Sequence, residues 1–189
     1  MLGDNKLGVP PIGAMLKRRR KELSLTLKTL SELSGVSSPF ISQAERNHTT
    51  PSIVTLTKLA TALKVDLKYF MEVPHDDSIV HRGNDLSVIN IDSPVTYFTM
   101  SSELENRQMD ALLMLIPPGY EFPTDLREGE DFLYVLEGEL VAKVGDVETV
   151  LCQGDSMHFD SRISHTARND SNDIVQLLYV GTPSLFKAD

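Results

Sequence analysis

The sequence predicts a multi-domain α + β protein, in which a five-helix bundle is followed by an all-β domain. Apolar residues recur at helical spacing as far as residue 71, whereas from Ile79 onward short apolar or alternating runs are separated by turn residues. Residues 1–75 hold 11 Lys and Arg against 6 Asp and Glu, while residues 76–189 hold 7 against 21. This change of charge indicates that the first part alone contacts nucleic acid.

The composition argues against several classes of protein. No run of 18 apolar residues is present, so we expect no membrane span. The N-terminus, MLGDNKLGVPPIG, lacks the charged start and apolar core of a signal peptide, and residues 1–8 are expected to form a flexible arm. The single cysteine, Cys152, leaves no internal disulfide framework and fits a reducing cytoplasm. We expect its thiol to be buried in the core.

The stretch from Thr26 to Arg46 is typical of two short helices joined by a tight turn. Its first residue is a suitable N-cap, and Leu27, Leu30 and Leu33 lie three residues apart on one helical face. Gly35 follows the last periodic residue, where a left-handed backbone ends a helix. This pattern predicts the first helix of a helix-turn-helix.

The second helix of the pair is predicted from its cap and its two faces. Ser37 or Ser38 can cap it, and Pro39 is tolerated in its first turn. Phe40, Ile41 and Ala44 are expected to face inward. The outward positions are Ser38, Pro39, Ser42, Gln43 and Arg46. A small polar outer face favours DNA binding over a plain αα-hairpin, which is the alternative reading.

The flanking segments complete a recognisable pattern. Upstream, Ile12–Leu23 has helical spacing and carries the basic run Lys17–Lys21, whereas Pro51-Ser52 opens a further amphipathic helix downstream. Residues 9–73, through GVSSPFISQAERNHTTPSIVTLTKLATALKVDLKYF, resemble the lambda-repressor-like (XRE) helix-turn-helix family. That resemblance implies a five-helix DNA-binding domain, with Arg18 or Arg19 paired to Glu45.

Within this domain, residue chemistry divides the expected DNA contacts. Gln43 can make two hydrogen bonds to adenine, and the neighbouring serines can reach base edges or phosphates. Lys28 and Arg46 are placed for the phosphate backbone. The full set of predicted DNA-binding residues is Lys28, Ser37, Ser38, Pro39, Ser42, Gln43, Arg46, Thr49, Thr50 and Ser52. Because one short helix gives limited specificity, we expect a homodimer on double-stranded operator DNA, with half-sites about 34 Å apart.

A polar segment interrupted by proline, EVPHDDS, separates the two parts, and we place the linker at residues 74–80. The all-β domain is then expected over residues 81–189. Its strands are predicted from the runs SVINI, VTYFTM, ALLMLI, FLYVLEGELVAKV, ETVLC and IVQLLYV, which argue for a barrel or sandwich.

Two glycine-bounded motifs in this region resemble those of the cupin family. Gly119, Asp125, Arg127, Asp131 and Gly138 fall at the spacing of the first cupin motif. The second motif is matched by Gly154, His165 and Asn169, while Asp160 and Arg162 replace its usual proline and glycine. The resemblance implies a single jelly-roll barrel.

The sequence departs from the cupin pattern at the metal ligands. The resemblance implies a His-His-Glu-His set, and this chain offers Asp125, Arg127, Asp131 and His165 at those positions. A guanidinium repels a divalent cation, so we expect no metal and no cofactor. Asp125, Asp131 and His165 form the alternative metal set if Arg127 swings away. Otherwise Arg127 pairs with Asp131 or receives an anionic ligand.

An apolar barrel with a few convergent polar groups is a usual site for a small molecule. His158 is expected to be structural or outward-facing. The predicted effector-binding residues are Met114, Phe122, Arg127, Asp131, Tyr134, Met157, Phe159, His165 and Leu178.

Together the two resemblances imply a cytoplasmic transcriptional regulator, in the sense of a repressor, and not an enzyme. Its cupin domain is expected to bind a small effector, for which Arg127 suggests an anion, or to dimerise the protein. The alternatives are a metal-dependent cupin enzyme tethered to DNA and a regulator whose cupin domain is purely a structural dimerisation module.

Overall fold

The computed structural model describes residues 11–71 and 78–186. The predicted arm, residues 1–8, and residues 74–77 of the predicted linker lie outside the described residues. The chain divides into a helical unit, Met1–Glu72 with Asn90–Ser93, and a β unit, Val73–Ile89 with Pro94–Asp189. Across the two described ranges, no helix is long and apolar enough to cross a membrane.

The described part of the helical unit contains four α-helices, α1 to α4, and one short 3-10 helix. The prediction of five α-helices is wrong at the last element, because residues 67–69 form only a single 3-10 turn. Lys64 ends the preceding helix with a φ of 53°, and Asp66 caps the next turn, which leaves few residues for a further helix. The elements are α1 Ile12–Glu22, α2 Leu27–Ser34, α3 Ser38–Ala44, α4 Ile53–Ala62 and the 3-10 helix Leu67–Tyr69.

The turn between α2 and α3 has the predicted chemistry. The Thr26 hydroxyl accepts a hydrogen bond from the Thr29 amide at 3.0 Å, and Gly35 ends α2 with a φ of 69°. The Ser37 hydroxyl accepts one from the Phe40 amide at 3.4 Å, with Pro39 in the first turn of α3. These caps satisfy amides that the short helices cannot pair themselves.

The core of the helical unit is built from leucines and isoleucines of all four α-helices, but Leu33 is not among them. Leu30 and Ile41 are fully buried, whereas Leu33 is 60% exposed, contrary to the prediction of an inward face. Three residues advance a helix by about 300°, which is about 60° short of a full turn. Each of the three leucines, spaced three residues apart, therefore points about 60° away from the one before it. In α2 only the middle leucine points directly into the core.

The β unit consists of nine short strands in the described residues, arranged in two sheets. The six-stranded sheet has the order β1-β2-β3-β9-β4-β7, and the three-stranded sheet has the order β6-β5-β8. No ladder of strands closes them into a barrel within the described part, so the prediction of a closed barrel is corrected to two sheets. The strands are β1 Ser87–Ile89, β2 Thr96–Thr99, β3 Asp110–Ile116, β4 Glu130–Glu137, β5 Glu139–Val144, β6 Val147–Cys152, β7 Ser156–Asp160, β8 His165–Arg168 and β9 Val175–Gly181.

Isolated bridges and side-chain hydrogen bonds fix the loops around these sheets. Asp125 forms a backbone bridge with His165, which brings the two motif segments together. The fully buried Asn169 amide donates to the carbonyls of Ile116 and Asp173 at 3.0 and 2.8 Å. This motif residue therefore ties the end of β3 to the loop between β8 and β9.

Gly129, the residue before β4, lies where the backbone approaches the segment that follows β9. Its φ is +106°, and a Cβ built there would lie 1.8 Å from the Thr182 carbonyl oxygen. Only glycine fits this contact.

Cys152, at the end of β6, is exposed, so the prediction of a buried thiol is wrong. β6 is an edge strand of the smaller sheet, and its side chains are mostly exposed.

Candidate functional site

The outer surface of α3 presents the side chains that the sequence assigned to DNA reading. Pro39 and Gln43 are exposed and Ser42 is half-buried, and Arg46, two residues after the end of α3, is also exposed. The inward side is held by Ile41 and Ala44, which are 0% and 1% exposed. Buried small and apolar residues on one side thus leave the amide of Gln43 and the guanidinium of Arg46 available to a ligand.

The predicted serine contacts have structural partners. Ser37 caps α3, and the Ser38 hydroxyl donates to the Leu27 carbonyl at 3.3 Å. Ser52 is 6% exposed and caps α4 by accepting from the Thr55 amide at 3.1 Å. Thr49 and Thr50 are half-buried in the segment between α3 and α4. Burial of Ser52 in a cap leaves little of its hydroxyl for DNA.

Lys28 is an exposed member of the predicted DNA-binding set. Its side chain is 86% exposed and lies 4.0 Å from Glu32 on the same helix face. Such an exposed pair is weak, so it leaves the ammonium group able to meet a phosphate.

The basic run of α1 is largely tied into the helical unit. Arg18 donates to the Tyr69 hydroxyl at 2.7 Å, and Arg19 donates to the Leu63 carbonyl at 3.1 Å. The Glu45 carboxylate is paired with Arg20, at 2.5 and 2.8 Å, and not with Arg18 or Arg19 as expected. Hydrogen bonding to Glu45 raises the pKa of Arg20, which remains charged.

Two of the predicted motif residues, Arg127 and Asp131, lie in one polar cluster of the β unit. Arg127 donates through Nη2 to Asp131 and to the Tyr179 hydroxyl, and through Nη1 to the Thr182 carbonyl at 2.6 Å. Tyr179 in turn donates to Asp131 Oδ1 at 2.7 Å. Burial, followed by the Asp131 charge, raises the pKa of Tyr179 well above its ordinary value, so its hydroxyl stays protonated. We call Arg127, Asp131, Tyr179 and Thr182 the Arg127 network.

His165 lies beside this network. Its Nε2 is 3.5 Å from Asp131 Oδ2 and 4.0 Å from Asp125 Oδ2, while its Nδ1 lies 2.8 Å from the Ile163 carbonyl oxygen. Because a carbonyl only accepts, Nδ1 carries a proton. The imidazole is thereby oriented with Nε2 toward the two carboxylates.

This donor set does not suit a divalent cation. The guanidinium of Arg127 stands at one ligand position and is bonded to Asp131, one of the carboxylates that a metal would need. Among the described residues, no three or more His, Cys, Asp or Glu side chains are placed to hold a metal ion together. The alternative set of Asp125, Asp131 and His165 is therefore not arranged as a metal site.

The apolar residues predicted to line the effector site divide between two faces of the six-stranded sheet. Met114, Met157 and Phe159 lie on the inward face of the sheet, which is also the face of Asp131. The rings of Phe159 and His165 pack with their centroids 5.0 Å apart. Phe122 is half-buried and stacks edge-on against Tyr120. Tyr134 and Leu178 are paired with each other on the opposite face. The structure therefore does not bring these two together with the rest.

Sequence reasoning missed Tyr179 and Thr182, which complete the Arg127 network. The strand that carries Tyr179 is apolar at nearly every position, so no alternation marked which side chains face inward. His158 is exposed and lies 3.2 Å from Glu130, in agreement with its predicted outward position.

Comparison with known proteins identifies two domains. Residues 16–70 match the family model HTH_3, described as helix-turn-helix, and residues 112–181 match Cupin_2, described as a cupin domain.

Curated relatives share both parts. The HTH-type transcriptional regulator PuuR of Escherichia coli is 27% identical over 183 residues, which cover 95% of this chain and 98% of that protein. The E. coli regulator SutR is 26% identical over 168 residues, with 87% and 90% covered. A solved HTH_3 family transcriptional regulator from Vibrio cholerae has a TM-score of 0.55 at 18% identity and covers 91% of this chain and 94% of its own, which supports the fold alone.

Proposed function

We propose that the chain is a DNA-binding transcriptional regulator that joins an XRE-type helix-turn-helix domain to a cupin domain, and that its cupin domain binds a small effector that alters operator binding. We further propose that it works as a homodimer and a repressor in the cytoplasm, with domains at residues 9–73 and 81–189, and without enzymatic activity. The exposed Gln43 of α3, with Arg46 just after the end of that helix and Ile41 buried on its inward side, carries the DNA-binding part of the proposal.

Gln43 is the residue that we assign to base reading. Replacing Gln43 with alanine should relax the base preference at one position of each half-site, at about 1–3 kcal/mol of discrimination. The measurement is selection of bound sequences from a randomised DNA pool, compared between wild type and variant. An unchanged sequence preference in the variant would contradict the assignment.

Lys28 is the residue that we assign to a phosphate contact, for comparison with Gln43. Lys28→Ala should weaken binding to all sequences alike and lower the slope of log K against log salt by about 1, because one fewer counterion is released. Ser52→Ala is expected to lower helix stability through loss of its cap and to leave the salt slope unchanged. Salt titrations by fluorescence anisotropy separate the two outcomes.

The Arg127 network carries the effector part of the proposal. A buried arginine, a carboxylate and a phenol form a polar cluster on the inward face of the six-stranded sheet, with His165 at its edge. An effector that presents a carboxylate to Arg127 could replace Asp131 as its partner. The residues proposed to meet the effector are Met114, Phe122, Arg127, Asp131, Met157, Phe159 and His165.

An effector changes operator affinity only through different affinity for the DNA-competent and DNA-incompetent states of the protein. A coupling of about 1–3 kcal/mol corresponds to a change of about 5- to 150-fold in DNA affinity.

A thermal-shift screen tests effector binding directly. The purified protein is heated with amino acids, polyamines, carboxylates and divalent metals, beside Arg127→Gln, His165→Ala and the control Arg162→Ala, whose guanidinium is exposed and paired only with Asp160 among the described contacts. We expect a ligand that stabilises the wild type and the control but neither of the other variants. Stabilisation that survives in all three variants would place the site elsewhere.

A further inference from the structure

The segment that follows β9, residues 182–186, begins at the Arg127 network. The Thr182 carbonyl accepts the hydrogen bond from Arg127 Nη1, and the Thr182 amide donates to the Glu130 carbonyl at 2.9 Å. At the other end of the segment Phe186 is 8% exposed, so this end is buried as well. We call residues 182–186 the strap. The strap extends from the proposed effector site to a second buried position in the β unit.

Asp110 and Arg107 hold the far end of the strap. Asp110, whose side chain is 1% exposed, accepts hydrogen bonds from the Ser184 hydroxyl at 2.9 Å and from the Leu185 amide. Arg107 lies 3.0 Å from Asp110 Oδ1 and donates to Ser184 Oγ at 3.2 Å. Its guanidinium also stands over the Phe186 ring. Because the Arg107 side chain is only 11% exposed, water replaces little of what is lost when a partner moves.

The loop between β2 and β3 carries Arg107 and also holds the linker. Within this loop Arg107 Nη1 donates to the Ser102 carbonyl at 3.3 Å. The Ser102 hydroxyl donates to the Ser78 carbonyl at 2.6 Å, and its oxygen lies 3.3 Å from His81 Nε2. A hydroxyl has one proton, so Nε2 is the donor in the second contact. Ser78, in the linker that we place at residues 74–80, is thus attached to the same loop as Arg107.

These contacts form a route from Arg127 to the linker that runs through tertiary structure. Its three long-range hydrogen bonds join residues that are 55, 77 and 24 positions apart along the chain. All three are donated by side chains, so the backbone pairing of the strands does not require them. Hydrogen-bond networks of this kind carry coupling between distant sites when they have two discrete arrangements.

A change of partner at Arg127 gives the strap two such arrangements. While Arg127 donates to Thr182, the half-buried carbonyl has a charged donor. An anionic effector that takes the guanidinium removes this donor, and the unsatisfied carbonyl then favours a rearranged backbone. Ser184 lies two residues further on, so its bonds to Asp110 and Arg107 change with the strap.

We propose that the strap and Arg107 transmit the occupancy of Arg127 to the linker. The last step is the hydrogen bond by which Ser102 restrains Ser78. Effector binding then releases this restraint on the linker, which connects the two domains in the sequence. This inference rests on the proposed function, in which the effector binds at the Arg127 network, and it adds the route by which that binding is communicated. Arg107 is a positioning residue in this route.

Hydrogen–deuterium exchange of the full chain tests the route without any ligand. Arg127→Met keeps the length of the side chain but removes the donor to Thr182, as an effector on the guanidinium does. We expect the peptide that contains residues 78–82 to exchange about tenfold faster in this variant than in the wild type. In a Ser102→Ala background, where the link to the linker is already broken, Arg127→Met should add less than about twofold.

Ser171→Ala is the matched control for Ser102→Ala. Ser171 is also half-buried, and its hydroxyl donates to Asn169 Oδ1 at 2.7 Å, in the loop between β8 and β9. In the Ser171→Ala background the full acceleration by Arg127→Met should persist. No acceleration at residues 78–82, or equal acceleration with and without the Ser102 hydroxyl, would overturn the inference.

The opposite direction of the route covers the case in which Arg127→Met fails to fold. Because coupling is reciprocal, release at the linker must also be detected at the strap. Ser102→Ala removes one hydroxyl and leaves Arg127 in place, and it should accelerate exchange of the peptide that contains residues 182–186 about fivefold. Ser171→Ala should leave that peptide unchanged. Exchange of the strap that is the same in Ser102→Ala and the wild type would contradict the route.

Operator binding separates the failure of this inference from the failure of the proposed function. The probe is the DNA sequence that the wild type selects from a randomised pool, and its affinity is measured by fluorescence anisotropy. Arg127→Met should change this affinity at least about fivefold in the wild-type background and less than about twofold with Ser102→Ala. No change, or an equal change in both backgrounds, contradicts the inference alone. A wild type that selects no sequence contradicts the proposed function, and the exchange measurements then still decide the route.

Discussion

Glu45→Ala should lower the free energy of unfolding of the helical unit by about 3 kcal/mol, because it leaves the guanidinium of Arg20 in a largely buried position without its partner. The Glu45 side chain is 5% exposed and that of Arg20 is 13% exposed, so water compensates little. Arg20 also donates to the Leu25 carbonyl at 2.8 Å, before the N-cap of α2. Loss of Glu45 therefore loosens the contact between α1 and the helix pair that carries Gln43.

Urea unfolding followed by circular dichroism at 222 nm measures this effect, because the described α-helices all lie in the helical unit. Glu22→Ala is the matched control. Glu22 pairs with Arg19 at 3.1 Å but is 48% exposed, so its removal should cost less than about 1 kcal/mol. Equal effects of the two variants would show that burial of the Arg20–Glu45 pair has no energetic consequence.

Gly129→Ala should destabilise the β unit by about 3 kcal/mol or more. The new methyl group would collide with the Thr182 carbonyl, and alanine is strained at a φ of +106°. The same carbonyl accepts the hydrogen bond from Arg127 Nη1. Movement of the Thr182 segment should therefore also disturb the Arg127 network.

Gly154→Ala separates the collision from the backbone strain. Gly154 has a φ of +90°, but a Cβ at this position meets no atom within 4 Å. Its replacement should cost only about 1 kcal/mol. Differential scanning calorimetry of the two variants measures the difference, and a Gly154→Ala loss as large as that of Gly129→Ala would contradict the role assigned to the Thr182 contact.

The sequence predicted the helix-turn-helix well because local chemistry specifies it. Thr26, Gly35 and Ser37 each act within four residues of their own position, so a cap or a turn can be recognised without knowledge of the tertiary fold. The arginine that pairs with Glu45 could not be predicted in this way. Five consecutive cations point in every direction around α1, and the rotation of that helix against α3 selects Arg20.

The residues of the proposed effector site could be placed only in part from the sequence, for a related reason. Motif spacing located Asp125, Arg127, Asp131 and His165, and the structure brings these four residues together. The apolar residues could not be assigned to the inward or the outward face, because a strand such as IVQLLYV has no alternation of polar and apolar residues. As a result, the prediction placed Leu178 on the inward face, which in the structure is occupied by its neighbours along the strand.

If the proposed effector binds at the Arg127 network, the existing contacts of Arg127 determine how the protein responds to background solutes. The guanidinium already has partners, so an incoming ion must displace hydrogen bonds that exist in the resting protein. If the released form is populated at about 1%, the apparent affinity of every ligand for Arg127 falls by about 100-fold. Chloride and other abundant ions, which make a single contact, then bind too weakly to occupy the site. A molecule that also fills the space beside His165 and Phe159 gains enough additional contact to register as a signal.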